Sequence, residues 1–318
     1  MASSLHQQAI VFCCDQNYAP HLVTALTSLL LNTTRRDFDI LILTEGFQPN
    51  TISCLNRVTK IFAAPIRLIQ TPPINQLLPV NSIILRPHIT TATLIRLFLD
   101  DLIDSHYQKL VYCDCDLVFE NDVDELFSED LAGHSLGAIP DVVFMDFTHP
   151  RLMFTDHYSY FNAGVLLIDF MLWKKNKIKE KMLDILQVTS PENILFADQD
   201  ILNLVFSQQE YQPLNSRFNY QTLVRLGDIL EPKECCFSPV IRHFAGEVKP
   251  WHEWCPQPVQ NIYSKYRNIA PWDENLILEK PKNFNQLVVG FEILKRSGQF
   301  DLATQYSEQI IRVLNRKK

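Results

Sequence analysis

The N-terminal part of the chain alternates short apolar runs with amphipathic stretches, and this alternation restricts the fold more than any other feature. Ala9-Ile-Val-Phe-Cys-Cys14 predicts a strand, Ala19 to Leu31 an amphipathic helix, and Phe38-Asp-Ile-Leu-Ile-Leu43 a second strand. The next helix is expected over about Thr51 to Val58, and Ile66-Arg-Leu-Ile69 predicts another short strand. Apolar strands without strict alternation, separated by helices, predict an α/β fold with a mostly parallel central sheet covered on both faces. Ligands of such sheets bind beyond the carboxyl ends of the strands. Asp15, after the first strand, therefore shares a rim with the residues that succeed the apolar run Lys109-Leu-Val-Tyr-Cys113.

That run ends in Asp114-Cys115-Asp116. On a strand this spacing turns both carboxylates to one face, where they can hold one divalent cation. Hard cations take oxygen ligands and are commonly completed by phosphate, so the pair suggests a diphosphate site. A polar turn after a strand fits the same residues.

Composition narrows the choice. A chain of 318 residues, 47% hydrophobic, is long enough for one large α/β domain with an accessory segment or for two domains. Its net charge of −7 argues against a nucleic-acid partner. Any phosphate must then be handled locally, by a metal and a few basic residues. Met1 to Gln8 does not read as a secretory signal, and no stretch is long and apolar enough for a transmembrane segment. Cys13, Cys14, Cys54, Cys113, Cys115, Cys235, Cys236 and Cys255 lack the paired Cys-x-x-Cys spacing of structural zinc and read as buried thiols of a reducing compartment.

Further along, Val123 to Phe127 predicts a short helix and Leu136 to Ile139 a strand ending at Asp141. Tyr160 to Asp169 reads as a loop entering a buried strand, Phe170 to Ile185 as one helix, and a further helix runs from near Asp198 through Phe206. Lys174, Lys175, Lys177 and Lys179 are expected on a solvated face. In Ile241-Arg-His-Phe-Ala-Gly-Glu-Val-Lys-Pro-Trp251, the histidine can ligate a metal, the glycine permits close backbone approach and the lysine can meet a phosphate. A helix or turn with a satisfied histidine fits this segment equally. Beyond Trp272 a linker leads to two predicted helices, Phe284 to Lys295 and Leu302 to Leu314, joined by Ser297-Gly-Gln-Phe300. They resemble a single tetratricopeptide-type hairpin, which cannot bury its apolar faces alone. It is expected to pack on the main domain, on a protein partner or on another protomer.

Asp-x-Asp, Tyr160-Phe-Asn-Ala-Gly-Val165, Ala197-Asp-Gln-Asp-Ile-Leu-Asn203 and His243-x-x-Gly-x-x-Lys-Pro-Trp251 occur in this order. Together they strongly resemble glycosyltransferase family 8, in particular its bacterial lipopolysaccharide and lipooligosaccharide galactosyl- and glucosyltransferases, over about residues 8 to 255. The resemblance implies a GT-A fold with a Rossmann-like sheet, with a glycosyltransferase domain over 1–270 and a linker and helical hairpin over 271–318. It makes Asp114, Asp116 and His243 ligands of Mn2+, with Mg2+ as the alternative. It puts Asp15 on the base of the donor, Asn17 by the ribose, Tyr18 against the base, and the backbone of Cys115 facing the ribose. Arg96, in the stretch His88 to Leu97, would reach the donor sugar and diphosphate, although a lone arginine is usually an exposed helix charge. Gly246 and Lys249 would bind the diphosphate, while Asp141, Asn162, Ala163, Asp198 and Gln199 would surround the transferred hexose.

The implied reaction moves galactose or glucose from a UDP-hexose donor to a hydroxyl of a saccharide or glycolipid acceptor, with retention to an α-linkage. Gln199 is a poor nucleophile, because an amide oxygen is weakly nucleophilic. Same-face substitution is therefore preferred, with Gln199 positioning and Asp198 binding the sugar. A catalytically silent UDP-sugar-binding scaffold acting through the hairpin is the alternative. A nucleotidyltransferase is disfavoured, since no glycine-rich basic loop comes after the first strand. The chain ends on Arg316-Lys317-Lys318 without a long basic, aromatic tail, so the expectation is a cytoplasmic protein, with peripheral attachment at the inner membrane face left open.

Overall fold

A computed structural model describes residues 6–78, 91–143, 151–152, 154, 159–225, 228–232 and 238–315. Its strands are β1 (Gln8–Cys13), β2 (Asp39–Thr44), β3 (Ile66–Gln70), β4 (Lys109–Cys113), β5 (Leu117–Phe119), β6 (Leu136–Pro140), β7 (Phe161–Asp169), β8 (Gln212–Pro213), β9 (Tyr220–Gln221), β10 (Leu223–Arg225), β11 (Asp228–Leu230) and β12 (Ile241–His243). Its helices are α1 (Ala19–Asn32), α2 (Pro49–Phe62), α3 (Ile74–Leu77), α4 (Leu99–Leu102), α5 (Asp124–Phe127), α6 (Phe170–Lys175), α7 (Ile178–Val188), α8 (Asp198–Phe206), α9 (Gln257–Arg267), α10 (Phe284–Arg296) and α11 (Phe300–Asn315). A 3-10 helix spans Thr91–Phe98. His88 to Thr90, Cys235-Cys236 and Arg316 to Lys318 lie outside the described residues, as does most of the Met1 to Gln8 stretch.

The main sheet has seven strands in the order β3-β2-β1-β4-β7-β6-β8. All neighbours pair in parallel except β7, which runs antiparallel to both β4 and β6. The sheet is thus mostly parallel, as expected. Both faces of β1 are buried: Ala9, Val11 and Cys13 pack with the 3-10 helix and α8, while Ile10 and Phe12 pack with α1. That explains why Ala9 to Cys13 are apolar without a break, and each buried aliphatic or aromatic side chain contributes roughly 1.5–3 kcal/mol.

A second, three-stranded sheet in the order β5-β12-β9 sits beyond the end of β4. Its register sets His243 opposite Leu117, one residue past Asp116. The strand was expected to carry the acidic pair, but β4 ends at Cys113 and the pair occupies the turn to β5. Phe161 already belongs to β7, where a loop was expected.

The predicted single helix from Phe170 to Ile185 is two helices. Asp169 caps the first by accepting the Leu172 N–H at 2.9 Å. Lys177 adopts a left-handed conformation, φ 54°, between the two. Of the four lysines, Lys175 and Lys177 are exposed and Lys174 and Lys179 half-buried, with Lys179 paired to the exposed Asp101 at 2.7 Å.

The C-terminal hairpin packs on the body of the molecule. Leu287, Ile293 and Leu294 of α10 and Ala303 and Tyr306 of α11 share one buried cluster with Val118, Trp251, Trp254, Val259, Tyr263 and Tyr266. Gly290 is the point of closest approach: a Cβ there would meet Tyr306 Cε2 at 2.7 Å and Trp254 Cγ at 3.1 Å. The Tyr306 hydroxyl donates to Glu253 at 2.6 Å. Among the described residues, no helix is long and apolar enough to cross a membrane.

Candidate active site

Where β6 meets β7, the register slips. Ala138 faces Leu166, but Ile139 faces Asn162, so Ala163, Gly164 and Val165 bulge away from β6. Bulges release backbone groups from the ladder, and here those groups organise the site. The Ala163 N–H donates to Gln199 Oε1 at 3.0 Å, and the Ala163 carbonyl accepts from Arg96 at 2.6 Å. The Gly164 carbonyl accepts the Asp114 N–H at 2.8 Å, tying down the acidic turn.

Asp114, Asp116 and His243 bring one ligand atom each to within 4.8 Å of one another. Asp114 Oδ1 accepts from Arg96 at 2.6 Å and from the Tyr112 hydroxyl at 2.9 Å. Asp116 lies 3.3 Å from His243 Nε2 and 2.5 Å from Lys249 Nζ. Burial works against its charge, but Lys249 and His243 outweigh it and hold the carboxyl well below the usual carboxylate range. Asn219 Oδ1 meets His243 Nδ1 at 3.1 Å, which leaves Nε2 toward the carboxylates. Two carboxylates and an oriented imidazole form a donor set that fits a borderline divalent cation such as Mn2+. Among the described residues this is the one such group, and it includes no cysteine.

Arg96 is not an exposed helix charge. It is 4% exposed, lies 4.1 Å over the Tyr112 ring, and bridges Asp114 and Asp198, the latter at 2.7 Å. Asp198 also accepts the Thr93 hydroxyl at 2.8 Å. Burial pushes its carboxyl up to about 6; Arg96 opposes the shift and Asp114 adds to it. Asp198 begins α8 directly after Ala197, whose φ of 47° is a strained value for a residue with a side chain.

Gln199 is held at both ends of its amide. Besides accepting from Ala163, its Nε2 donates to Asp141 at 3.2 Å and to the Tyr160 hydroxyl at 3.3 Å. Asp141 accepts further from Asn162 at 3.0 Å and from the Val143 N–H at 2.8 Å, while burial raises its carboxyl despite these bonds. Asn162 Oδ1 in turn accepts from Asn219 at 2.9 Å. The Cys115 thiol is raised well above its ordinary value, first by its bond to Cys14 and then by burial, so it stays protonated and is no nucleophile.

Asp114, Asp116, His243, Arg96, Asp198 and Gln199 line one cavity of about 700 Å³ together with Asp15, Tyr18, Gly246 and Lys249, while Tyr160 and Asn219 support it through Gln199 and His243. Asp15 Oδ1 accepts the N–H groups of Asn17 and Tyr18 at 2.9 and 3.0 Å and so shapes the start of α1. Asn17 is exposed and does not line the cavity. His243 ends a strand, neither in a helix nor in a turn, and Gly246 comes three residues later with φ 79°. Thr93, Tyr112, Tyr160, Asn219 and Gln221 had no role assigned from the sequence, although Tyr160 opens one of the quoted motifs. Gln221 lines the cavity while bonding Val142 N and the Pro140 carbonyl, both at 2.9 Å.

Comparison with known proteins bears on the family and the fold. The chain is 32% identical over 278 residues to general stress protein A of Bacillus subtilis, covering 83% of this chain and 94% of that one. It is 26% identical to the lipopolysaccharide 1,2-glucosyltransferase of Escherichia coli K12, over 86% and 83% of the two chains. Among solved structures, the galactosyltransferase LgtC in complex with donor and acceptor sugar analogues superposes with a TM-score of 0.68 at 24% identity, covering 82% of this chain and 96% of that one. That likeness carries the GT-A fold. The model of glycosyl transferase family 8 matches residues 9–255, and the chain belongs to that family.

Proposed function

We propose that this family 8 glycosyltransferase transfers a hexose, galactose or glucose, from a UDP-sugar to a saccharide hydroxyl with retention, giving an α-linkage. The observation that carries the reading is the convergence of Asp114, Asp116 and His243 in the cavity that Asp198 and Gln199 also line. A divalent cation held by those three residues, Mn2+ by the softness of the imidazole, would neutralise charge on the diphosphate leaving group.

Within that reading, Lys249 and the Gly246 backbone bind the diphosphate, and Asp15 and Tyr18 hold the nucleoside end. Gln199 supports same-face substitution over double displacement. Its carbonyl oxygen already accepts an N–H, and its nitrogen is tied to Asp141 and Tyr160, so it is fixed as a positioning group. Asp198 is bound by Arg96 and Thr93, which suits a carboxylate that accepts sugar hydroxyls better than one that attacks carbon. The acceptor hydroxyl would pass its proton to the departing phosphate.

The test is Mn2+-dependent UDP release from UDP-glucose, UDP-galactose and related donors, with Asp116→Ala as control. Release by one hexose donor that falls at least about a hundred-fold in the variant is expected. Equal release by the variant, or a trapped glycosyl adduct on Asp198, overturns the respective part of the reading.

A further inference from the structure

The family match ends at residue 255, yet the donor cavity does not. Val289, on the first helix of the C-terminal hairpin, lines the same cavity as Asp15 and Tyr18. Tyr18 and Val289 both pack against the cluster built from Val248, Trp251, Trp254 and Tyr263. Tyr18 meets Trp251 edge-on at 6.0 Å, and Trp251 stacks on His21 at 3.4 Å. The close approach of Gly290 to Trp254 seats Val289 beside this wall. Three separate segments, the start of α1, the loop after β12 and α10, therefore supply one apolar surface at the Asp15 end of the cavity.

We infer that the hairpin is a wall of the donor site, with Val289 closing its nucleoside end beside Tyr18 and Val248. This rests on the UDP-sugar reading. Apolar surface at that end favours the flat base and ribose over bulk water, whereas the diphosphate end is served by charge. The hairpin thereby acts on donor affinity in addition to holding the fold.

The experiment compares binding of UDP and of inorganic pyrophosphate, both with Mn2+, by calorimetry on the full chain. Val289→Trp fills the nucleoside end and should weaken UDP about ten-fold or more while leaving pyrophosphate within about two-fold. Val289→Ser, which removes apolar surface without bulk, should weaken UDP about three-fold in the same selective way. Phe291→Ala, on the same helix and packed on the same cluster but absent from the cavity lining, should leave UDP affinity unchanged. Unaltered UDP affinity in both Val289 variants overturns the inference, as does a parallel loss of UDP and pyrophosphate, which would mark a merely structural role. No UDP binding by the unaltered chain would instead bring down the donor reading on which the inference stands.

Discussion

Gly164 matters because of the imidazole beside it. A Cβ there would stand 2.2 Å from His243 Cε1 and 2.6 Å from Nδ1, closer than heavy atoms pack, so Gly164→Ala must push the ring off its place. Asn219→Ala would free the same ring by removing its orienting partner. Each change should raise the Mn2+ concentration for half-saturation by about 10–100-fold, read from a metal titration of UDP release. Unchanged half-saturation in both would remove His243 from the metal site. Arg96 supports a second prediction. Losing it in Arg96→Met leaves Asp114 and Asp198 facing each other in a buried pocket, which costs about 3–5 kcal/mol in urea unfolding near pH 8. Asp198 already has its carboxyl raised to about 6, so in the variant it binds a proton more readily folded than unfolded. Stability lost at pH 8 should therefore return as pH falls toward 5.5, and an equal deficit at both pH values would count against the buried pairing. Asp114 and Asp116 were legible as a pair because two carboxylates at short spacing are a local signal, whereas His243, far off in sequence, was joined to them only by the family resemblance. Gly164 and Asn219 act through the place of a ring from a distant strand, and only the glycine inside a strand run hinted at a close approach.

At the scale of elements, legibility in the sequence depended on whether packing or local chemistry decided the outcome. The parallel strands β1, β2 and β4 were legible because burial on both faces forces apolar residues along most of their length, whereas the edge strand β3 leaves Arg67, Leu68 and Gln70 exposed. The break between α6 and α7 was not, since Lys177 takes a left-handed conformation without the glycine that usually marks one. Nor did α1 show how deep it lies: His21 is buried, stacked on Trp251 at 3.4 Å, with its Nδ1 2.7 Å from the Tyr263 hydroxyl. His252 is buried likewise, stacks on Trp254 at 4.2 Å, and accepts the Lys249 N–H on Nδ1 at 3.1 Å. Burial lowers both histidines to about 3, with nearby cations adding to the shift. Their folded values lie below the unfolded value near 6.5, so between about pH 6.5 and 3 the unfolded chain binds more protons. Stability present above pH 6.5 is lost as pH falls through this window, by about 2 kcal/mol per histidine at pH 5. Urea midpoints followed by tryptophan fluorescence should drop from pH 7 to pH 5, and His21→Phe should shrink the drop. Because the raised Asp198 carboxyl gains stability over the same range, the variant decides: a drop as large in His21→Phe as in the unaltered chain would mean that the His21 ring is not held neutral.

Across the whole molecule, three buried clusters meet at the cavity. Cys13, Ala92 and Phe161 belong to one, Cys14, Cys115 and Leu117 to the second, and Trp251, Trp254 and Tyr306 to the third. The hairpin contributes to the third, and Lys249 and Trp251, two residues apart, tie it to the acidic turn. The tetratricopeptide-like unit was expected to pack on the main domain, on a protein partner or on another protomer, and it packs on the main domain, in the cluster that bounds the site. The chain should therefore unfold as one cooperative unit. Far-ultraviolet circular dichroism, which reports the helices of both regions, and fluorescence, which reports Trp251 and Trp254 together with Trp173 and Trp272, should give coincident urea transitions. Ligand linkage sharpens the test. UDP with Mn2+ at about a hundred times its dissociation constant stabilises the state that binds it by about 2.7 kcal/mol, or roughly 5 °C in melting temperature for a domain of this size. Because one transition covers hairpin and sheet, the ligand should move both probes by the same amount. An early hairpin transition that UDP leaves in place would show that the third cluster is energetically separate from the cavity.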